Sequence, residues 1–517
     1  MKRRTALGIL AGALPALRAA RALRPPTAEE EFLSGPFEAN RESLQKYEAP
    51  QWFREAKFGI WAHWGPQSAA EAGDWYARQM YMPSQPQYKF HLEHYGHPSK
   101  FGFKDIIPTW KGEKFDPDYL VGLYQKAGAK YFVTMGVHHD NFDLWNSKHT
   151  RWNAVNMGPK KDIVGLFRQA ARKRGLRFGV SDHLWISYKW FAVSHLSDKD
   201  GPLAGVSYDG VAAGNADFYH SYADPKLLTE KLDWNEDGIP EEWKKHWFLR
   251  IKDLVDQHAP DFLYADGHLP FQEHGLRLVA HLYNLSAQRH GGRTEAVYTS
   301  KRVEDCAVGT CVLDRERGIP DDILRQPWQT DTCIGDWHYS RGIKYKTPKT
   351  IVDMLVDVVS RNGNLLLNFP LPNSGMLDAE ELKILEAITR WMNVNSEAIY
   401  ATRPWKIFGD GPSTKVITAG EVMFNESKRK DLTADDVRFT TKGKTLYAFV
   451  MGWPEKQAVI PPLALSGKLG AGKIENVELL GHHGKLQWTQ DQASLRVQLP
   501  PEKPSEHGVA FRVLGAL

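Results

Sequence analysis

The chain has 517 residues, long enough for two or three domains, and its 42% hydrophobic and 25% charged content is ordinary for a soluble globular protein. A net charge of +4, from 66 basic and 62 acidic residues spread along the chain, speaks against a nucleic-acid or anionic-membrane partner. The 18 Trp, 19 Tyr and 23 Phe residues suit stacking on the flat apolar faces of sugars, although large cores also use such rings.

Residues 1–22 read as a targeting segment. Lys2-Arg3-Arg4 precedes an apolar stretch over residues 5–17, and Ala20-Arg21-Ala22 offers a small-residue cleavage site. The paired arginines followed by Thr-Ala-Leu point to twin-arginine export; the bland alternative is a basic N-terminus. The apolar stretch is too short to span a bilayer and no later one reaches that length, which predicts a periplasmic or secreted protein with no membrane partner. Residues 23–39 read as a linker containing Pro and Glu.

From about residue 40 to 405 apolar strands alternate with helices. Strands are expected at residues 58–62, 131–137, 176–180, 262–265, 296–298, 310–313 and 364–369, with helical patterns at 119–127, 163–171, 247–258, 275–287 and 351–360. Seven or eight such steps predict an α/β fold, a (β/α)8 TIM-like barrel. A doubly wound open sheet is the competitor, but no Gly-rich phosphate turn follows the first strand. In the remaining residues, 406–517, short strand-like runs at 445–451, 477–480, 486–489, 494–499 and 509–513 predict a C-terminal antiparallel β-sandwich. Three cysteines are too few for a disulfide scaffold, and whether Cys306 and Cys311 bridge is left open.

Chemistry gathers where the expected strands stop. His63 follows the first, His138-His139-Asp140 the second, Ser181-Asp182-His183 the third, Asp266 the fourth, Lys301 the fifth, and Asp314 and Glu316 the sixth. Polarity at the C-terminal edge of parallel strands is how an α/β barrel presents a site. Taken singly, Asp266 reads equally well as a turn residue and Glu316 as part of a surface ion-pair cluster. Two carboxylates converging from different strand ends are, however, the minimum equipment for glycoside hydrolysis: one attacks the anomeric carbon while the other protonates the leaving oxygen. His63, His138 and His139 suit hydrogen bonds to sugar hydroxyls, with His183 and Lys301 as further candidate substrate-binding residues. A metal site is the rival, yet no His-x-His pair stands at a strand end, and adjacent strand residues such as His138 and His139 are expected to face opposite ways unless a bulge intervenes. Asp233-Trp-Asn235-Glu-Asp237-Gly238 looks like a calcium loop, but Lys244 stands where a bidentate Glu is needed, and a solvated acidic turn is the preferred reading.

These residues fall within longer blocks that resemble the retaining α-L-fucosidases (glycoside hydrolase family 29). The blocks are Trp52-Phe-Arg-Glu-Ala-Lys-Phe-Gly-Ile-Trp-Ala-His63-Trp-Gly, Asp74-Trp75-Tyr76, His138-His139-Asp-Asn-Phe-Asp-Leu-Trp145, Pro260-Asp-Phe-Leu-Tyr-Ala-Asp266-Gly, Asn362-Gly-Asn-Leu-Leu-Leu-Asn368 and Glu397-Ala-Ile-Tyr-Ala-Thr-Arg-Pro-Trp405. The resemblance implies a catalytic barrel, a β-sandwich and no metal or other cofactor. It implies Asp266 as nucleophile and His63, Asp74, Trp75, His138 and His139 as fucose contacts. The family's acid/base glutamate lies in a variable segment, where Glu316 is best placed and Asp314 is the reserve. Departures are Val137 and Asn141 where Lys and Gly usually flank the paired histidines, Asp74 where Glu is usual, and Ser181-Asp182-His183 where aromatic residues commonly follow the strand. The expectation is an exported retaining exo-glycosidase acting on fucosylated glycans or glycosides. A carbohydrate-binding relative without turnover and a metal-dependent barrel hydrolase are the alternatives. Linkage, aglycone and oligomeric state are not legible.

Overall fold

Parallel strands buried on both faces must be apolar along their whole length, and the strands of this chain largely meet that demand. In the computed structural model, which describes residues 31–306, 309–415, 423–465, 467 and 469–517, eight of them close a barrel. They are β1 (Phe58–Ala62), β2 (Tyr131–Val137), β3 (Arg177–Asp182), β4 (Phe262–Ala265), β5 (Val297–Ser300), β6 (Val312–Asp314), β7 (Trp328–Cys333) and β8 (Gly363–Asn368). Each pairs in parallel with the next, and β8 returns to β1 with Phe58 opposite Leu365. The helices Pro117–Lys126, Ile163–Lys173, Glu241–His258, Glu273–Arg289 and Pro348–Ser360 cover the outside. Inside, the Tyr131 ring lies across Gly59, where an added Cβ would come within 2.3 Å of it, and its hydroxyl donates to Gln329 Oε1 at 2.9 Å. The barrel interior is therefore filled, and only its rim is open to ligands. The targeting segment expected at residues 1–22 lies outside the described residues. Among those described, no helix is long and apolar enough to cross a membrane.

The barrel and the C-terminal antiparallel sheets agree with the expected fold class, and one barrel strand was not foreseen. β7 reads Trp-Gln-Thr-Asp-Thr-Cys, too polar for an apolar-run criterion, yet all six residues are buried. The C-terminal region adds β9 (Arg403–Asp410), β10 (Val437–Lys442), β11 (Thr445–Val450), β12 (Gln457–Ile460), β13 (Asn476–Leu479), β14 (Trp488–Gln490), β15 (Leu495–Gln498) and β16 (Val509–Leu514). Five of these form a sheet in the order β13-β16-β11-β10-β9, and three form a second, β12-β15-β14. Trp405, Phe439, Leu495, Val497 and Phe511 belong to the apolar core of this region. β9 straddles the boundary drawn at residue 405. Cys306 and Cys311 form a disulfide, while Cys333 is a buried free thiol on β7.

The barrel and the five-stranded sheet meet at a buried charge cluster. Asp357, in the helix Pro348–Ser360, accepts from Arg361 one turn on, from Arg438 Nε of β10 at 2.6 Å and from Arg429 Nη2 at 2.5 Å. Burial pushes the Asp357 carboxyl up, but the three guanidiniums outweigh it and hold it far below the usual carboxylate range. Its stabilising effect is thus present above the carboxyl's unfolded pKa and is lost as pH falls. Asp357→Asn leaves Arg361 and Arg438 buried without their counter-ion, and should lower unfolding free energy by about 3–5 kcal/mol in denaturant titrations at neutral pH. A loss below about 1 kcal/mol would show that the cluster does not hold the two parts together.

Candidate active site

Most of the side chains singled out at strand ends meet at the barrel's C-terminal rim, while Asp140, Ser181, Asp182 and Asp314 lie outside the cavity lining. His63, Asp74, Trp75, His138, His139, His183, Asp266, Lys301 and Glu316 all line one cavity of about 560 Å³. Short backbone ties set their positions. The His63 N–H donates to Asn368 Oδ1 at 2.8 Å, joining the end of β1 to the end of β8. Asp266 directly follows β4, and its N–H donates to the Asp182 carbonyl at 2.9 Å. Lys301 directly follows β5, and its N–H donates to the Gly267 carbonyl at 2.7 Å. Glu316 lies two residues past β6, held because the Arg315 and Arg317 N–H groups each donate at 2.9 Å to β7, to the carbonyls of Gln329 and Asp331.

At the centre, Lys301 Nζ stands 2.5 Å from Asp266 Oδ1 and 2.5 Å from Glu316 Oε2. These two oxygens are therefore separated by at most twice that distance. The three side chains retain only 10%, 13% and 15% exposure, so their charges interact with little screening by water. Asp266 Oδ2 faces His139 Nε2 at 3.3 Å and His183 Nδ1 at 3.5 Å. Burial raises both carboxyl pKa values, but the sums differ. The Lys301 ammonium and the His183 and His139 rings hold Asp266 well below the usual range. Glu316 is left raised, because Lys301 offsets burial only in part and Asp331 and Asp266 add like charge. One carboxyl poised to be ionised and its neighbour poised to hold a proton is the division of labour that acid–base chemistry requires. Asp314, the reserve acid, is fully buried and lies outside the cavity lining, where it accepts from Gln329 Nε2 at 3.2 Å.

The histidines surround this pair. β2 ends at Val137 after a register slip, so the alternation expected for His138 and His139 does not apply: both rings line the cavity, with centroids 4.5 Å apart. The Gln67 amide donates to His138 Nδ1 at 2.8 Å, and His139 Nδ1 donates to the His183 carbonyl at 2.6 Å. Burial pushes His63, His138 and His183 below the usual imidazole range, with neighbouring rings adding to the effect at His63 and His138. Neutral rings can each donate and accept, which suits hydroxyl recognition. Trp61, Tyr264 and Trp337 form an apolar wall beside them, with Trp61 4.7 Å from Tyr264 and 5.6 Å from Trp337 between ring centroids.

Among the described residues, three groups have donor atoms within 4.8 Å of one another and could hold a metal ion: His63 with His138 and His183, Asp74 with His138 and His338, and His139 with His183 and Asp266. None contains both His138 and His139. In the third, Lys301 already sits on Asp266, which sets a positive charge against any added cation. The acidic loop at 233–238 is knitted into the fold: Glu236 Oε1 accepts from His268 at 2.8 Å and from the Phe271 N–H at 2.6 Å, and Asn235 Oδ1 accepts from the Asp237 N–H.

Asp331, in the cavity lining, and His338, a buried partner of Asp74, were missed from the sequence. Asp331 sits on the unforeseen β7 and accepts from the Tyr264 hydroxyl at 3.0 Å. His338 is completely buried and bonds Asp74 Oδ1 at 2.6 Å across 264 residues of chain. An acidic residue alternating with threonines in a β-branched run was the available signal for Asp331; His338 had none.

A sequence model described as Alpha-L-fucosidase matches residues 27–397, and one described as Alpha-L-fucosidase C-terminal domain matches residues 429–513. Mouse tissue alpha-L-fucosidase is 28% identical, over 92% of this chain and 93% of its own. Human plasma alpha-L-fucosidase is 29% identical, over 90% of this chain and 88% of its own. Among solved structures, Thermotoga maritima alpha-fucosidase in complex with fucose superposes with a TM-score of 0.70 at 24% identity, covering 92% of this chain and all of that one. A GH29 alpha-L-fucosidase from Bacteroides thetaiotaomicron gives 0.60 at 18%, covering 91% and 98%.

The Lys301 ammonium lowers both carboxyl pKa values, so Lys301→Met should raise both. Carbon-13 NMR titration of the carboxyls should show Asp266 moving out of its depressed range and Glu316 rising further. An Asp266 value that does not move would remove Lys301 as the cause of the split.

Proposed function

The chain belongs to the alpha-L-fucosidase family of glycoside hydrolases, and from that premise we propose that it hydrolyses α-L-fucosidic bonds by double displacement, with Asp266 as nucleophile and Glu316 as acid/base. The observation that carries the reading is the sharing of one ammonium by two carboxyls of opposite pKa tendency. Their oxygens lie within twice 2.5 Å of each other. That upper limit falls short of the roughly 6.5–9.5 Å that inversion needs to admit a water, and so favours the closer spacing, roughly 5–5.5 Å, of retaining glycosidases.

In the first step an ionised Asp266 oxygen attacks the anomeric carbon and the bond to the leaving oxygen breaks. That oxygen takes the proton from Glu316, and the aglycone departs as an alcohol. In the second, the Glu316 carboxylate takes a proton from water as the water oxygen attacks the same carbon. The Asp266 ester bond breaks, releasing fucose and restoring both carboxyls. His63, His138, His139, His183, Asp74 and Trp75 are assigned to the sugar itself. Trp61, Tyr264 and Trp337 supply a wall for its apolar face. Lys301, which sequence reading grouped with the substrate contacts, is assigned instead to positioning the carboxyls.

We further propose export from the cytoplasm. The Cys306–Cys311 disulfide is the kind of bond that persists in an oxidising compartment, in keeping with the Lys2-Arg3-Arg4 signal pattern.

With an aryl α-L-fucoside, Asp266→Asn should lower kcat by at least about three orders of magnitude, while circular dichroism remains that of the parent protein. Near-parental turnover would remove Asp266 from the mechanism. The pH profile of kcat/KM should be bell-shaped, its acid limb below the usual carboxylate range from Asp266 and its alkaline limb above it from Glu316. Activity should also survive exhaustive chelation, and a loss restored by added metal would favour the histidine cluster as an ion site.

A further inference from the structure

The barrel below the carboxyls is packed with buried side chains, Tyr131 and Gln329 among them, so the cavity has one open end. A fucosyl residue held against Asp266 must send whatever it is attached to out through that mouth. Among the described residues, three aromatic side chains are conspicuously exposed, Tyr119, Trp234 and Phe424; Trp234 at 45% and Phe424 at 57% both line this cavity. Exposed rings concentrated at one opening mark a binding surface rather than a folding core.

Their placement follows the chemistry. Phe424 comes from the segment between β9 and β10, and its N–H donates to the carbonyl of Glu316 at 2.9 Å. It therefore borders the residue that would deliver a proton to the departing oxygen. Next to it, the Glu426 N–H donates to the Arg317 carbonyl at 3.0 Å, and Glu426 takes the Thr332 hydroxyl at 2.5 Å and Lys346 Nζ at 2.8 Å. Asn425 exchanges hydrogen bonds with both backbone groups of Ile319. These ties hold Phe424 at a left-handed φ of 55°, a conformation a bulky residue keeps only when its surroundings fix it. Trp234 stands beside the proposed sugar contacts, its ring centroid 5.8 Å from Trp75 and 5.7 Å from His139.

We propose that Phe424 and Trp234 form the leaving-group subsite, a pair of aromatic platforms for the apolar face of a pyranose linked to the fucose. Phe424 lies between the two matched family segments, and Trp234 lies within the first. The C-terminal region thereby takes part in choosing the substrate. The inference rests on the α-L-fucosidase reading above and narrows it to glycans whose penultimate residue is a sugar.

The test compares kcat/KM for a fucosyl-α-linked disaccharide with that for α-L-fucosyl fluoride, whose leaving group is too small to reach the platforms. For both Phe424→Ala and Trp234→Ala, the disaccharide-to-fluoride ratio should fall about tenfold. Phe424→Trp should restore it, and the alkaline limb of the pH profile should stay in place. A ratio unchanged in both variants overturns the subsite while leaving the hydrolase reading intact. A shifted alkaline limb in Phe424→Ala makes Phe424 a support for Glu316 instead, and likewise overturns the subsite. A parent protein that turns over neither compound overturns both.

Discussion

A single ammonium group placed between two carboxyl groups organises this site. By Coulomb's law the two attractions of Lys301, each across 2.5 Å, together exceed the single repulsion between the carboxylate oxygens at the same effective dielectric. The two acids can therefore approach each other in a nearly dry cavity without one being driven permanently neutral. The asymmetry comes from what surrounds them: Asp266 has two imidazoles on its second oxygen, whereas Glu316 has the buried Asp331 nearby. Three consecutive strand ends, β4, β5 and β6, deliver the three groups, so closure of the barrel is what brings them into register.

The loop bearing Glu316 is the least self-sufficient part of that arrangement. β6 is only three residues long, and the chain beyond it is fixed by others: β7 on one side and the segment 424–426 on the other. That segment belongs to the region joining the first strands of the five-stranded sheet. The same sheet is anchored to the barrel through Arg438 and Asp357. Mechanical support for the proposed proton donor thus passes through contacts 80 to 110 residues apart in sequence. Met423 and Phe424, between β9 and β10, also line the cavity.

Much of this was legible from residue order, for physical reasons. Both faces of a parallel barrel strand are dry, so Tyr131–Val137 and the leucines of Gly363–Asn368 announce themselves as apolar runs. Abrupt polarity at their ends pointed to His138, His139 and Asp266. β7 escaped because its Gln329 and Asp331 find hydrogen-bond partners inside the barrel in Asp314, Tyr131 and Tyr264, which only the closed fold supplies. β10 escaped similarly, since Arg438 is buried by a counter-charge from a helix 81 residues earlier. Phe424 reaches the cavity, and His338 reaches Asp74, from loops with no periodic signal. Strand alternation does not reach the paired histidines, because β2 slips register before Val137 and ends there, the exception that reading allowed for.

The closeness of the two acids makes a stereochemical claim, because a gap that small leaves no place for a water behind the anomeric carbon. The direct test is proton NMR of the first product formed from an α-L-fucoside, recorded before mutarotation. α-L-Fucose appearing first is the predicted result. β-L-Fucose appearing first would contradict the covalent role of Asp266 and the account built on it.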